Sequence, residues 1–151
     1  RLPFEDATFH AAVTQHVGMN IADKTQLYSE AARVLQPGCM FGIYDVLQGG
    51  NGQIRYPVPW ARDPSISFPI SAEAMRQHLT GAGFNILNWR NCTAAGIQFI
   101  DQTLAKLRTK TPSLGLHLLL GDDFLDLLEN LGANLREGRA MLAEIITVKR
   151  P

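Results

Sequence analysis

The stretch Glu30-Ala31-Ala32-Arg33-Val34-Leu35-Gln36-Pro37-Gly38-Cys39-Met40-Phe41-Gly42-Ile43-Tyr44-Asp45-Val46-Leu47 decides how the chain folds. Ala31, Val34 and Leu35, with Leu27 before them, recur at helical spacing, and Pro37-Gly38 ends that period. Cys39 to Leu47 is then a nearly continuous apolar run, the pattern of a strand covered on both faces in a parallel sheet. A similar run, Phe9 to Val17, lies upstream between Glu5-Asp6 and the turn residues Gly18 and Asn20, and reads as a buried strand. Asp23 is placed to cap the helix between them, with Gln26 in the reciprocal capping position. Strand, helix, strand makes a crossover unit, right-handed by the usual rule.

Working outward, Gln48 to Pro69 holds four prolines, three glycines and no sustained period, so it reads as a long irregular loop leaving the end of the second strand. Loops of that length often carry function. Ser71 caps a helix with Met75, His78, Leu79 and Ala82 on one face, Gly81 and Gly83 stop it, and Phe84 to Cys92 follows as a strand. Ala94 to Lys110 is amphipathic through Ile97, Ile100, Leu104 and Leu107, and Pro112 with Gly115 breaks it. His117 to Leu120 is a short apolar piece, and Gly121-Asp122 opens a helix with Phe124, Leu127, Leu128, Leu131 and Leu135 inward. Gly138 closes it, and Met141 to Val148 is a last strand, apolar except for Glu144 and Thr147. Residues 1–93 thus form a core of strands and helices, 94–137 a helical insertion, and 138–151 the last strand. This is an α/β layered pattern with four strands that all look buried, so the first would present an apolar edge and a missing neighbour is implied.

The 151 residues are 46% hydrophobic and 19% charged, the composition of one globular domain. Fourteen basic residues balance fourteen acidic ones, which leaves no field to hold nucleic acid or anionic lipid. No stretch reaches the roughly 18 to 20 apolar residues that cross a bilayer, and the first residues carry no apolar run of signal-peptide length. With two distant cysteines, Cys39 and Cys92, reduced thiols and a cytoplasmic location are the expectation. Metal is not expected, because His10, His16, His78 and His117 are scattered. Gly49-Gly50-Asn51-Gly52 lacks a G-K-[ST] ending and reads as a flexible turn rather than a phosphate loop. Arg1 has no preceding methionine and the text begins in mid-motif, so part of a longer protein is expected.

Leu2-Pro3-Phe4-Glu5-Asp6-Ala7-Thr8-Phe9-His10 resembles the L-P-F-x-D-x-x-F-D segment before the fourth strand of class I S-adenosylmethionine-dependent methyltransferases, with His10 in place of the usual aspartate. Glu30 to Cys39 is similar to their E-x-x-R-V-L-K-P-G-G stretch, departing at Gln36 and Cys39, and Ala82-Gly83-Phe84 agrees with a later A-G-F turn. The segments Tyr56 to Ala61 and Leu114 to Gly121 look like the branch of glycine, sarcosine and dimethylglycine N-methyltransferases and ubiquinone/menaquinone C-methyltransferases. The resemblance implies a Rossmann-like sheet of which this chain supplies strands four to seven, the last antiparallel, with a helical insertion before it. It implies S-adenosyl-L-methionine as cofactor and a small-molecule acceptor. The glycine-rich loop and the ribose-holding acid would lie upstream of Arg1, so the chain alone is expected to be inactive. The alternative is a non-catalytic α/β module that homodimerises through the first-strand edge or the helical insertion.

Ligands in open α/β sheets sit at the carboxyl ends of strands. On that topology Thr14, Gln15, His16, Val17 and Asn20 would face the methionine part of the cofactor, largely through backbone groups. His16 is the candidate general base, against a structural histidine packing the turn. Asp45 could orient the acceptor, against a loop-anchoring aspartate. Met19, Tyr44, Tyr56, Trp60 and Phe68 are the candidate acceptor-binding residues; the loop aromatics among them could wall a cationic group, or simply pin the loop. Leu2 and Phe4 would lie beside the adenine in related enzymes, against hydrophobic anchoring of the first strand.

Overall fold

The computed structural model describes residues 1–109, 118, 121 and 123–151. Four strands and four helices organise it: β1 (Phe9–Gln15), α1 (Lys24–Val34), β2 (Leu35–Gln48), α2 (Ala72–Gly81), β3 (Phe84–Asn91), α3 (Thr93–Thr109), α4 (Phe124–Arg136) and β4 (Ala140–Lys149). Single 3₁₀ turns stand at Gly18–Asn20 and Pro64–Ile66. The caps read from the sequence are present: Asp23 accepts from the Gln26 N–H and Ser71 from the Ala74 N–H. α4 has Asp123 at its N-cap, with no side-chain hydrogen bond there, and Asp122 of the expected Gly121-Asp122 start lies outside the described residues. The Pro112 and Gly115 break and most of the His117 to Leu120 piece lie outside the described residues.

The sheet order is β1-β2-β4-β3. β1 runs parallel to β2, and β4 lies antiparallel between β2 and β3. The last strand is therefore antiparallel, as the resemblance implied, and it sits in the sheet's interior. Two apolar layers follow from strand alternation. Phe41, Ile43 and Leu47 of β2 with Ala143 and Ile145 of β4 meet Tyr28, Ala31 and Ala32 of α1 and Met75 and Leu79 of α2. Val46 and Leu142 on the other face meet Ile100 and Leu104 of α3, Phe124, Leu128 and Leu135 of α4, and Ile54, Val58 and Ala61 of the long loop. The polar exception Thr147 is buried, and its Oγ1 donates to the Phe41 carbonyl at 3.0 Å.

Two expectations are corrected. Pro37-Gly38 does not separate helix from strand: α1 stops at Val34 and β2 begins at Leu35. The break is absorbed as an irregularity, because Phe9 pairs with Leu35 while Ala11 pairs with Met40, and Gly38 takes φ +77 in between. β1 is also not buried, for Val13 is 77% exposed and no residue of the strand is fully buried. The run is apolar, but it stands at an edge with a partner on one side only.

The long loop is fixed by a residue the sequence did not single out. Asn134 of α4 is fully buried; its Oδ1 accepts from the Arg55 N–H and its Nδ2 donates to the Arg55 carbonyl, both at 2.9 Å. Asn130 Nδ2 adds a bond to the Pro57 carbonyl at 2.9 Å. Replacing Asn134 with Leu leaves the Arg55 N–H and C=O without partners, at a cost of roughly 2 kcal/mol. Urea unfolding of Asn134→Leu is expected to report that loss, with limited proteolysis speeding selectively between Gln48 and Pro69.

Candidate functional site

β1 ends because its backbone turns over at His16, which adopts φ +53, a left-handed conformation that histidine tolerates better than most residues. The His16 N–H still donates to the Tyr44 carbonyl at 2.8 Å, so the turn stays attached to β2. Gly18–Asn20 then forms one 3₁₀ turn, closed by the Ile21 N–H on the Gly18 carbonyl at 3.0 Å. Asn20 reaches back with its Nδ2 to the His16 carbonyl at 3.4 Å.

The His16 ring stands edge-on to Tyr44, with centroids 5.1 Å apart and planes at 79°. His16 is exposed, and the partial desolvation of its ring moves the imidazole's pKa down from its ordinary value. Gln15 and Tyr44 open onto a groove of about 330 Å³ along the sheet, lined also by Val13, Gly42, Glu144 and Ile146. Glu144, which pairs with Arg90 at 2.6 Å, brings a carboxylate beside Tyr44 that the sequence reading passed over as a polar exception in a strand.

Asp45 occupies a different place from the one expected for an acceptor-orienting carboxylate. It is 2% exposed, its Oδ1 accepts from the Val46 N–H at 3.0 Å, and the N–H groups of Gly18 and Met19 face it. This is the loop-anchoring arrangement: the carboxylate lies under the turn. Desolvation by burial pushes its pKa up to about 6, against the pull of those N–H groups and of Lys24. Lys24, also missed from the sequence, is 4% exposed.

Of the acceptor-side candidates, Met19 is buried in one apolar cluster with half-buried Tyr44, Tyr56 and Trp60 packed against it. The loop comes back to the turn where the Phe68 N–H donates to the Met19 carbonyl at 2.8 Å, and Trp60 Nε1 donates to Ser67 Oγ at 2.8 Å. Turn, strand end and loop therefore form one unit. Thr14 is half-buried, and Gln15, Val17 and Asn20 are exposed beside it. Leu2 and Phe4 are not brought there. Phe4 stacks edge-on against Phe9 at 4.9 Å, and Arg33 holds the carbonyls of Leu2 and Phe4 beside α1. Both lie at the opposite end of β1, about 20 Å of strand away from His16, because the Arg33, Glu30 and Asp6 ion pairs fasten the segment to the end of α1. Among the described residues no group of histidine, cysteine, aspartate and glutamate could hold a metal ion.

Residues 1–43 match the family model of the methyltransferase domain. A candidate sarcosine dimethylglycine methyltransferase from Galdieria sulphuraria superposes with TM-score 0.81 at 18% identity, over 99% of this chain and 56% of that one. The chain carries a class I methyltransferase fold. Phosphoethanolamine N-methyltransferase 2 of Haemonchus contortus, solved with phosphomonomethylethanolamine and S-adenosylhomocysteine, shares the fold at TM-score 0.77 and 15% identity, over 98% of this chain and 35% of that one. The [4+2]-cyclase SpnF does so at TM-score 0.66 and 22% identity, over 99% of this chain and 53% of that one. A cyclase among these structures means that the methyltransferase fold by itself does not name a reaction. No curated protein matches the sequence. The chain spans about half the length of the first solved structures it matches, 56% and 53%.

The raised pKa of Asp45 fixes the sign of a pH effect. The native state holds a proton more tightly than the unfolded chain, so this group's contribution favours folding in acid and is lost as pH rises from about 4 to about 6. The swing is about 3 kcal/mol by linkage, an order-of-magnitude figure. The stability difference between Asp45→Asn and the wild type should therefore shift in the variant's favour between pH 4 and pH 7, read by urea titration at several pH values. A flat difference would contradict the burial of a titrating carboxylate.

Proposed function

We propose that this chain is the acceptor-side part of an S-adenosylmethionine-dependent methyltransferase that acts on a small molecule. The observation that carries the reading is the unit formed at the carboxyl end of β1 and β2, where an exposed imidazole, two exposed carboxamides and a cluster of aromatic rings meet. The match of residues 1–43 to the methyltransferase family supports it, as do related folds solved with S-adenosylmethionine or S-adenosylhomocysteine. The donor set fits such a cofactor. Gln15 and Asn20 suit the amino-acid end, and the rings of Tyr44, Tyr56 and Trp60 suit a sulfonium or an ammonium group.

The cofactor supplies an electrophilic methyl on sulfur, displaced in line by the acceptor's lone pair with a neutral thioether leaving. The chain's own residues align and desolvate that exchange. His16, exposed at the strand end with its ring edge-on to Tyr44, accepts the proton an acceptor nitrogen, oxygen or carbon must lose. Tyr56, Trp60 and Phe68, held to Met19 and α4, wall the acceptor from water. Asp45 serves this reading from below the turn. In this reading the open edge of β1 takes a further strand of the sheet, as the chain's span of about half the length of the similar solved structures suggests.

Isothermal titration tests both levels. The full-length protein is expected to bind S-adenosylhomocysteine, and residues 1–151 alone to bind it at least a hundredfold more weakly. Absence of binding by the full-length protein would sink the reading. In a methyl-transfer assay His16→Gln should lower kcat by about a hundredfold, the lower range for loss of a general base, with S-adenosylhomocysteine affinity changed little.

A further inference from the structure

We propose that Asp45 and Lys24 form a buried clamp of opposite charges that fixes the shape of the 16–21 turn, making both of them positioning residues for His16. Asp45 holds the start of the turn: its Oδ2 lies directly against Gly18, and the carboxylate faces the N–H groups of Gly18 and Met19. Lys24 holds the end, where its Nζ donates to the carbonyl of Ile21. The two charges lie close enough to attract, and each offsets part of the other's desolvation. Neither can be replaced by water, since both residues are under 5% exposed.

Gly18 records the fit independently. A Cβ at that position would lie 2.2 Å from Asp45 Oδ2, so the carboxylate fills the space a side chain would need. Tyr28, the other titratable group facing the carboxylate from α1, does not compete for it. Its hydroxyl donates to Met75 Sδ at 2.9 Å, and burial pushes its pKa upward, so it stays neutral. α2 brings only His78 near, across the Tyr28 ring at 6.3 Å between centroids. With both ends held, the backbone at His16 has little freedom to leave its left-handed conformation, and the imidazole stays against Tyr44. What that imidazole serves rests on the methyltransferase reading; the clamp itself does not.

Asp45→Asn separates position from bulk stability. The carboxylate offers two acceptor oxygens, Oδ1 toward Val46 and Oδ2 toward Gly18, whereas a carboxamide has one acceptor oxygen and turns its NH₂ toward one of those N–H groups. In the full-length protein, hydrogen exchange by NMR is expected to quicken at least tenfold at the Gly18 and Met19 amides relative to those of Phe41 and Ile43 in β2. The His16 imidazole should titrate closer to its ordinary value, because the ring is released from Tyr44. Lys24→Met gives the same two changes and reports on its own if Asp45→Asn does not fold. An unchanged His16 titration in the folded variants, or turn amides that quicken only in step with those of β2, would overturn the clamp. Failure of the wild type to bind S-adenosylhomocysteine would instead sink the methyltransferase reading while leaving this measurement to decide the clamp.

Discussion

The antiparallel ladder between β2 and β4, running from Met40 opposite Val148 to Gln48 opposite Ala140, is the constraint on which the other parts depend. It brings the end of the described chain into the middle of the sheet, and β3 is attached to the sheet only through β4. The pairing also sets the phase of both strands, so that Ile43 and Ile145 face one helical layer while Val46 and Leu142 face the other. A slip by one residue would turn Tyr44 and Glu144 away from the groove and put Asp45 on the wrong side of the turn. Site geometry and core packing therefore share one register.

That register also explains why polar groups can be buried at the strand end. Asp45 follows the alternation that buries Ile43 and Leu47, so its carboxyl goes inward whatever it costs in desolvation. The turn after β1 supplies the compensation by aiming two N–H groups at it, and α1 supplies an ammonium. An arrangement of this kind adds little net stability compared with apolar packing, but it admits few alternative conformations of the turn. Specificity of shape is what an in-line displacement asks of a binding site, where small misplacements of the reacting groups are expensive in rate.

The layered α/β pattern, the capping residues Asp23 and Ser71, and the long loop were legible because each depends on local spacing or turn chemistry. The proximity of several candidate residues was legible too: His16 meets Tyr44, and Met19, Tyr44, Tyr56 and Trp60 share one cluster, since strand ends and the loop leaving them must be neighbours. What was not legible is set by partners distant in sequence. Nothing about Lys24 or Asn134 announces that one will lie under a turn and the other will grip Arg55 from a helix 79 residues on. The setting of Leu2 and Phe4 was hidden for a similar reason. Their apolar character was plain, but Arg33, read as part of a helix end, is what ties them to the far end of β1.

The exposure of β1 can be argued further from its composition. An edge strand that natural sequences leave open is usually interrupted by charge or proline, which discourages pairing with other chains. Phe9-His10-Ala11-Ala12-Val13-Thr14-Gln15 contains neither aspartate, glutamate, lysine, arginine nor proline, and Val13 is 77% exposed. Such a strand is built to be covered. Because His16 stands at its end, whatever pairs with β1 must also pass close to the turn, so the cover of the edge and one wall of the site are the same object.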